Sequence, residues 1–250
     1  KSIEEFRAAG FHIPGRFDKV LNIINCYLQG GPSNEIRIAV RDYAINNGLD
    51  FFDLINQDGF LRTLIIRTSS TGEVMIILVF FREERKAREH LLEWLAEKFS
   101  EITSLMYFIN PKANDTIWDL DVNLYKGRDY IIEEMEGLRF RIGPKSFFQT
   151  NSEQAFELYK LVREYAFPRN HEIIYDLYTG TGTIAAFISR HCNRVYGIES
   201  VPEAVEDARL NAEINKLENV DFYSGDIKDV LTTGFTRRAG NPHTIITDPP

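Results

Sequence analysis

Residues 173–185 read Ile-Ile-Tyr-Asp-Leu-Tyr-Thr-Gly-Thr-Gly-Thr-Ile-Ala, and this stretch decides the fold. Its β-branched and aromatic first half, 173–178, predicts a buried strand. The strand leads at once into Gly180-Thr-Gly182-Thr-Ile-Ala185, which matches G-x-G-x-x-G/A, a turn where a strand passes into a helix and the backbone approaches a bound nucleotide. A tight turn without a ligand would use the same glycines, so the motif by itself predicts a candidate binding loop.

The chain on both sides of this loop alternates between helix and strand patterns. A capping box, present both as Thr150-Asn-Ser-Glu153 and as Asn151-Ser-Glu-Gln154, predicts a helix that ends near Ala166. After the loop, the patterns predict a helix at 183–191, a strand at 194–199, a helix at 202–215 with proline in its first turn, and strands at 220–223 and 244–247. This alternation predicts an α/β fold, a parallel sheet with helices on both faces.

Acidic side chains stand at the ends of the predicted strands. Glu199 lies about 20 residues after the first glycine, where an acid accepts hydrogen bonds from ribose hydroxyls of NAD or S-adenosylmethionine. Asp226 follows the third strand, and Asp248 opens the Asp-Pro-Pro turn after the fourth. With Asp176, they are expected to converge at the carboxyl edge of the sheet. Several carboxylates around one crevice favour the cationic S-adenosylmethionine, because a dinucleotide pyrophosphate prefers N–H donors.

The first part of the chain has a different pattern. Runs at 61–68 and 73–79, around a polar turn with Gly72, predict a hairpin, and helices are predicted at 34–47 and 82–100. A strand at 104–110 and a β-rich stretch at 124–148 complete an α+β domain. We expect two domains, residues 1–145 and the α/β residues 146–250.

Composition excludes several classes of protein. The longest apolar run, Val74 to Phe81, is far shorter than the about 20 residues that a membrane helix needs. Two cysteines make neither a disulfide framework nor a complete metal site, so we expect no metal and a cytoplasmic protein. The formal charge of −8 indicates that any RNA contact is local, because phosphate-neutralising proteins usually carry a basic face.

Five motifs, in this order, resemble the RNA uracil-C5 methyltransferase family, and its rRNA branch most of all. They are Ser146-Phe-Phe-Gln149-Thr-Asn151, Asp176-Leu-Tyr-Thr-Gly-Thr-Gly-Thr183, Tyr196-Gly-Ile-Glu199, Asn211-Ala-x-x-Asn215 and Asp248-Pro-Pro250. The stretch from Gly10 to Cys26 also resembles the family's central domain. The resemblance implies a Rossmann-like S-adenosylmethionine-dependent methyltransferase sheet, C-terminally incomplete, that follows the α+β domain. It also implies an enzyme that forms 5-methyluridine in RNA, with rRNA as its partner.

The resemblance and the glycine motif together predict the cofactor-binding residues. By the resemblance, Gln149, Tyr178, Glu199 and Asp248 contact S-adenosylmethionine, with Thr183 and Asp226 as further contacts. The motif adds Gly180 and Gly182. Gln149 rests on the resemblance alone, since a glutamine before a helix is usually a surface residue.

The family mechanism implies a cysteine thiolate that adds to C6 of the uracil and a carboxylate base that removes the C5 proton. Cys192 follows the helix after the glycine loop, away from the crevice, and is expected to be a buried structural thiol. We therefore assign no catalytic residue here and expect the nucleophile and the base beyond Pro250, so that the chain is an inactive portion of a longer enzyme. Cys26 stands where iron-sulfur members place a cluster cysteine, and an ordinary core cysteine explains it equally.

Three alternatives stay open. An amino-methyltransferase acting on adenine or guanine also uses Asp-Pro-Pro, and the residue after Pro250 would discriminate the two. A non-catalytic RNA-binding module could keep a cofactor fold without activity. An NAD-dependent oxidoreductase is disfavoured by the number of carboxylates.

Overall fold

The computed structural model describes residues 8–166 and 168–249, which form two compact units, Lys1–Ile131 and Ile132–Pro250. The boundary expected at residue 145 therefore lies later than the division between the units. The physical reason is a hairpin at residues 131–142, which sequence pattern assigns to the preceding β-rich stretch but which packs on a helix of the second unit.

The first unit is α+β, as predicted. Its elements are β1 (Phe11–Ile13), β2 (Arg16–Leu21), α1 (Ser33–Asn46), β3 (Leu61–Thr68), β4 (Val74–Phe80), α2 (Arg85–Lys98), β5 (Ile102–Ile109) and β6 (Asn123–Gly127). Strands β1 and β2 pair antiparallel. The main sheet has the order β3-β4-β5-β6, in which β3 and β4 form the predicted hairpin and β4 and β5 are parallel. The apolar stripes of α1 and α2 pack on this sheet, for example Ile36 and Leu91 against Ile76.

The second unit contains the predicted parallel sheet. Its elements are β7 (Ile131–Met135), β8 (Leu138–Ile142), α3 (Ser152–Ala166), β9 (Ile173–Leu177), α4 (Thr183–Ser189), β10 (Arg194–Glu199), α5 (Pro202–Ile214), β11 (Val220–Ser224), α6 (Ile227–Val230), α7 (Thr233–Ala239) and β12 (Thr244–Thr247). The sheet order is β11-β10-β9-β12, with every pair parallel. Strands β7 and β8 form the separate hairpin.

Helices cover both faces of this sheet, as the alternation predicts. Ile174 of β9 packs with Ala185 of α4 and Val205 of α5. Its neighbour Tyr175 points the opposite way and packs with Phe235 of α7. The glycine loop after β9 is thereby fixed at the edge of a sheet that is buried on both faces.

The helices add two details to the predictions. Asn151, rather than Thr150, caps α3, since its Oδ1 accepts a hydrogen bond from the Gln154 amide at 3.1 Å. Helices α6 and α7 were not predicted, because each is short. Within the described ranges, no helix combines the length and apolar character that a membrane crossing requires.

Candidate functional site

The loop between β9 and α4 has a strained backbone. Tyr178, Gly180 and Gly182 have φ of 61°, 55° and 76°, in the left-handed region that L side chains rarely adopt. The amide of Thr179 donates to the carbonyl of Ile198 at 3.1 Å, which ties the loop to strand β10. Such a conformation persists only where neighbouring groups hold it in place, and it is frequent at ligand sites.

The two glycines are needed for different reasons. A Cβ on Gly182 would lie 2.7 Å from Cζ of Phe222 and 3.0 Å from Cβ of Ala208, so this glycine allows close packing of the sheet. At Gly180, no heavy atom of the described residues other than Gly180 and its two chain neighbours lies within 4 Å of the position that a Cβ would take. Gly180 therefore leaves open space next to the backbone, where a ligand could approach.

Asp176 connects the strand to the helix that follows. Its carboxylate is 1% exposed and accepts a hydrogen bond from Oγ1 of Thr179 at 2.5 Å. It also accepts from the backbone amide of Ala185 in the first turn of α4, where the N-cap residue Gly182 has no side chain to do so. Asp176 thus serves as the cap of α4 from the neighbouring strand.

The environment of Asp176 is strongly negative. Burial, the largest cause, and the charges of Asp248 and Glu199 together raise the pKa of its carboxyl group from 3.8 to about 7, against the two hydrogen bonds that lower it. This electrostatic coupling shows that three of the four predicted carboxylates lie near one another. A cation bound among them would relieve the repulsion.

Glu199 is held at the end of β10 by backbone amides. Its Oε2 accepts from the amide of Gly180 at 3.1 Å, and its Oε1 accepts from the amide of Val201 at 2.9 Å. The carboxylate is half-buried, and Oε1 also accepts from the hydroxyl of Ser200 at 3.2 Å, so the free lone pair is on Oε2. One ribose hydroxyl of a nucleoside suits this acceptor, and the second could bond to Oε1 in place of Ser200.

Tyr159 of α3 lies close enough to Asp248 and Asp176 to be affected by their charges. Its ring is 5% exposed and packs on Phe187, while its hydroxyl forms a hydrogen bond with Thr183. Burial raises the pKa of Tyr159 to about 12, and the charges of Asp248 and Asp176 add to the effect. The hydroxyl therefore stays protonated beside the carboxylates.

The other residues predicted to contact the cofactor differ in their exposure to solvent. Tyr178 is 41% exposed in the loop, and Gln149 is half-buried before α3. Thr183 is buried, with its hydroxyl 3.2 Å from that of Thr181, so it faces the interior of the loop. Asp248 is exposed, and the last proline of its turn lies outside the described residues.

Asp226 is the N-cap residue of α6. Its carboxylate caps that helix by accepting from the amide of Lys228 at 3.2 Å and pairs with the Lys228 ammonium at 3.1 Å. These contacts hold the pKa of Asp226 below its ordinary value. Of the four carboxylates expected to converge at the carboxyl edge of the sheet, this one is therefore partly neutralised by Lys228.

Sequence reasoning missed Tyr159 and Thr179 as neighbours of the site. Tyr159 stands four residues after Ala155 on one buried stripe of α3, a spacing that indicates only core packing. The buried thiol of Cys192 agrees with its expected structural role, and burial raises its pKa to about 11.

Comparisons with known proteins agree with this site. Residues 169–240 match a family model described as a methyltransferase domain. The chain is 58% identical over 250 residues to a protein of Bacteroides thetaiotaomicron named an uncharacterized RNA methyltransferase, an alignment that covers 99% of this chain and 55% of that protein. A protein of Porphyromonas gingivalis with the same name is 57% identical over 243 residues, 96% of this chain and 52% of its own length. The chain thus spans about half the length of the curated relatives that it matches.

One solved structure is similar over nearly the whole chain. The tRNA (uracil-54, C5)-methyltransferase of Pyrococcus abyssi, in complex with S-adenosyl-L-homocysteine, has a TM-score of 0.75 and 25% identity. The match covers 94% of this chain and 55% of the other. The fold is the Rossmann-like α/β fold of S-adenosylmethionine-dependent methyltransferases, and a methyltransferase domain of this fold implies S-adenosylmethionine as its cofactor.

Proposed function

Because a methyltransferase domain stands in a chain that is similar over nearly all of its length to proteins named RNA methyltransferases, we propose that this protein is an S-adenosylmethionine-dependent RNA methyltransferase that forms 5-methyluridine. The observation that carries the methyl-transfer part is the cluster of Asp176, Glu199 and Asp248 around the glycine loop. The uracil part is supported by the likeness to the Pyrococcus abyssi enzyme, which extends through both units. The motif resemblance favours rRNA as the substrate.

The residues of this chain fit the proposed cofactor. S-adenosylmethionine would supply a methyl group on a positively charged sulfur, and the negative potential of the site favours that charge. Glu199 would accept from the ribose hydroxyls, and the exposed ring of Tyr178 would cover an apolar part of the cofactor. Asp248, exposed after β12, would stand where the cofactor meets the target base, with Gln149 as a further contact.

The nucleophile implied by the family mechanism is not Cys192. Its thiol is buried, and a pKa of about 11 keeps it protonated at neutral pH, whereas the thiolate is the reactive species. We propose that a different cysteine adds to C6 of the uracil.

A labelling experiment tests the proposal. The full-length protein is incubated with methyl-labelled S-adenosylmethionine and unmodified transcripts of rRNA or of tRNA, and the RNA is digested to nucleosides for chromatography. We expect the label in 5-methyluridine, from rRNA in preference to tRNA. Label in a methylated adenine or guanine would overturn the uracil assignment, and label from tRNA alone would overturn the rRNA assignment.

Substitutions of the candidate site residues test whether methyl transfer depends on this site. Glu199→Gln and Asp248→Asn should each lower the labelling rate at least about tenfold, the factor that corresponds to a lost charge-assisted hydrogen bond. Asp229→Asn, an exposed acid on α6, is the matched control and should behave as wild type. Equal effects of all three substitutions would contradict the assignment of the site.

A further inference from the structure

Asn211, one of the motif residues, lies in the last turn of α5 and is fully buried. Its Oδ1 accepts a hydrogen bond from the amide of Arg141 on β8 at 2.7 Å. Its Nδ2 donates to the carbonyl of Thr181, inside the glycine loop, at 3.1 Å. One side chain therefore joins the β8 strand, helix α5 and the candidate binding loop.

The loop needs such a contact because of its backbone conformation. Thr181 lies between Gly180 and Gly182, both with positive φ, and the chain reverses over this short distance. On one side the loop is fixed by the amides of Thr179 and Gly180, which donate to β10. The side-chain amide of Asn211 adds a contact from α5, because it donates to the carbonyl of Thr181.

We propose that Asn211 is a positioning residue for cofactor binding, which fixes the Thr181 carbonyl and thereby directs Gly180 and Tyr178 toward the ligand. The inference rests on the proposed cofactor site. Asn211 itself is buried under the loop and donates to protein, so it acts on the cofactor through the loop.

Asn215, the C-cap residue of the same helix, offers a comparison. It stands one turn later, and its side chain pairs with Arg139 on the same strand, accepting from the amide at 2.8 Å and donating to the carbonyl at 2.7 Å. Both asparagines thus join α5 to β8, but the side chain of Asn215 bonds to Arg139 and to the α5 backbone, whereas that of Asn211 reaches the loop. A role limited to joining α5 and β8 would leave the cofactor affinity of the folded protein unaffected by either substitution.

The first test is calorimetric titration of S-adenosylhomocysteine into the full-length protein and its Asn211→Ala and Asn215→Ala variants, each shown to be folded by circular dichroism. Both substitutions should lower the melting temperature. Asn211→Ala should weaken the affinity about tenfold, because the loop carbonyl loses its buried donor. Asn215→Ala should stay within about twofold of wild type, a difference that corresponds to less than the free energy of one hydrogen bond.

A second variant distinguishes the effect of losing the hydrogen-bond donor from the effect of losing the side-chain volume. Asn211→Asp has the same shape, and its protonated carboxyl group can donate to the Thr181 carbonyl while accepting from the Arg141 amide. Burial favours the protonated form. Its affinity relative to wild type should therefore be near one at pH 5.5 and fall about tenfold by pH 8.5 as the carboxyl group ionises.

The outcomes distinguish the two claims. If wild type binds and the two alanine variants lose the same affinity, or if the Asn211→Asp ratio does not change with pH, the positioning role is overturned while the cofactor site stands. If wild type itself fails to bind S-adenosylhomocysteine, the proposed cofactor site fails, and the inference fails with it.

Discussion

The carboxyl group of Asp176 is expected to lower the stability of the protein as the pH rises. In the unfolded chain it ionises near its ordinary pKa of 3.8, whereas in the folded protein its pKa is about 7. Between these values the folded state keeps a proton that the unfolded state has lost, so stability falls with rising pH and the full loss is reached above about pH 7. Each pKa unit corresponds to about 1.36 kcal/mol, so the difference between 3.8 and about 7 corresponds to about 4 kcal/mol.

Asp176→Asn removes the ionisation and keeps the shape of the side chain. Its carbonyl oxygen can accept from the hydroxyl of Thr179, as the carboxylate does. The variant should therefore gain about 3 kcal/mol of stability relative to wild type between pH 5 and pH 8, the part of the effect that falls in that range. Urea denaturation at both pH values, followed by far-UV circular dichroism, measures this change.

Asp229→Asn serves as the control, since this acid is exposed. Its stability should follow that of wild type at both pH values. If the difference between Asp176→Asn and wild type is the same at pH 5 and pH 8, Asp176 does not carry a raised pKa in the folded protein, and the reasoning is refuted.

Three further results are expected. Gly182→Ala should destabilise the protein by about 3 kcal/mol, because its Cβ would lie 2.7 Å from Phe222 at a φ of 76°; a melting curve equal to that of wild type would contradict this. Tyr159→Phe should lower the free energy of unfolding by about 1–2 kcal/mol through loss of the hydrogen bond to Thr183, whereas Tyr165→Phe, on the exposed face of the same helix, should have no effect in the same urea titration. S-adenosylmethionine should bind more tightly at pH 8 than at pH 6 and release a proton from Asp176 on binding, which calorimetry in buffers of different ionisation enthalpy would detect as a buffer-dependent heat.

Much of the fold could be predicted from local pattern. The runs around the turn at residues 69–72 predict the hairpin β3–β4, and the alternation after residue 150 predicts the parallel sheet, because periodicity reports which face of an element is buried. Strand β1, at Phe11–Ile13, is three residues long and next to a bulge, so it leaves no alternation to detect.

The site was predicted only in part, for a physical reason. Glu199 and Asp248 stand at strand ends, and topology alone brings them toward the loop. The occupation of Asp226 by Lys228 depends on where α6 begins, and a four-residue helix has too little pattern to predict. The link from Asn211 to Thr181 joins positions 30 residues apart, a contact that only the folded chain defines.

The pairing of Asn215 with Arg139 has a consequence for solubility. Strand β8 belongs to a two-stranded hairpin, and the open backbone groups of such a strand can recruit a strand from another molecule. Here the amide and the carbonyl of Arg139 are both bonded to one side chain of α5, which occupies the place of a neighbouring strand. Removing that side chain, as in Asn215→Ala, would leave the amide and the carbonyl of Arg139 open to pairing with a strand of another molecule.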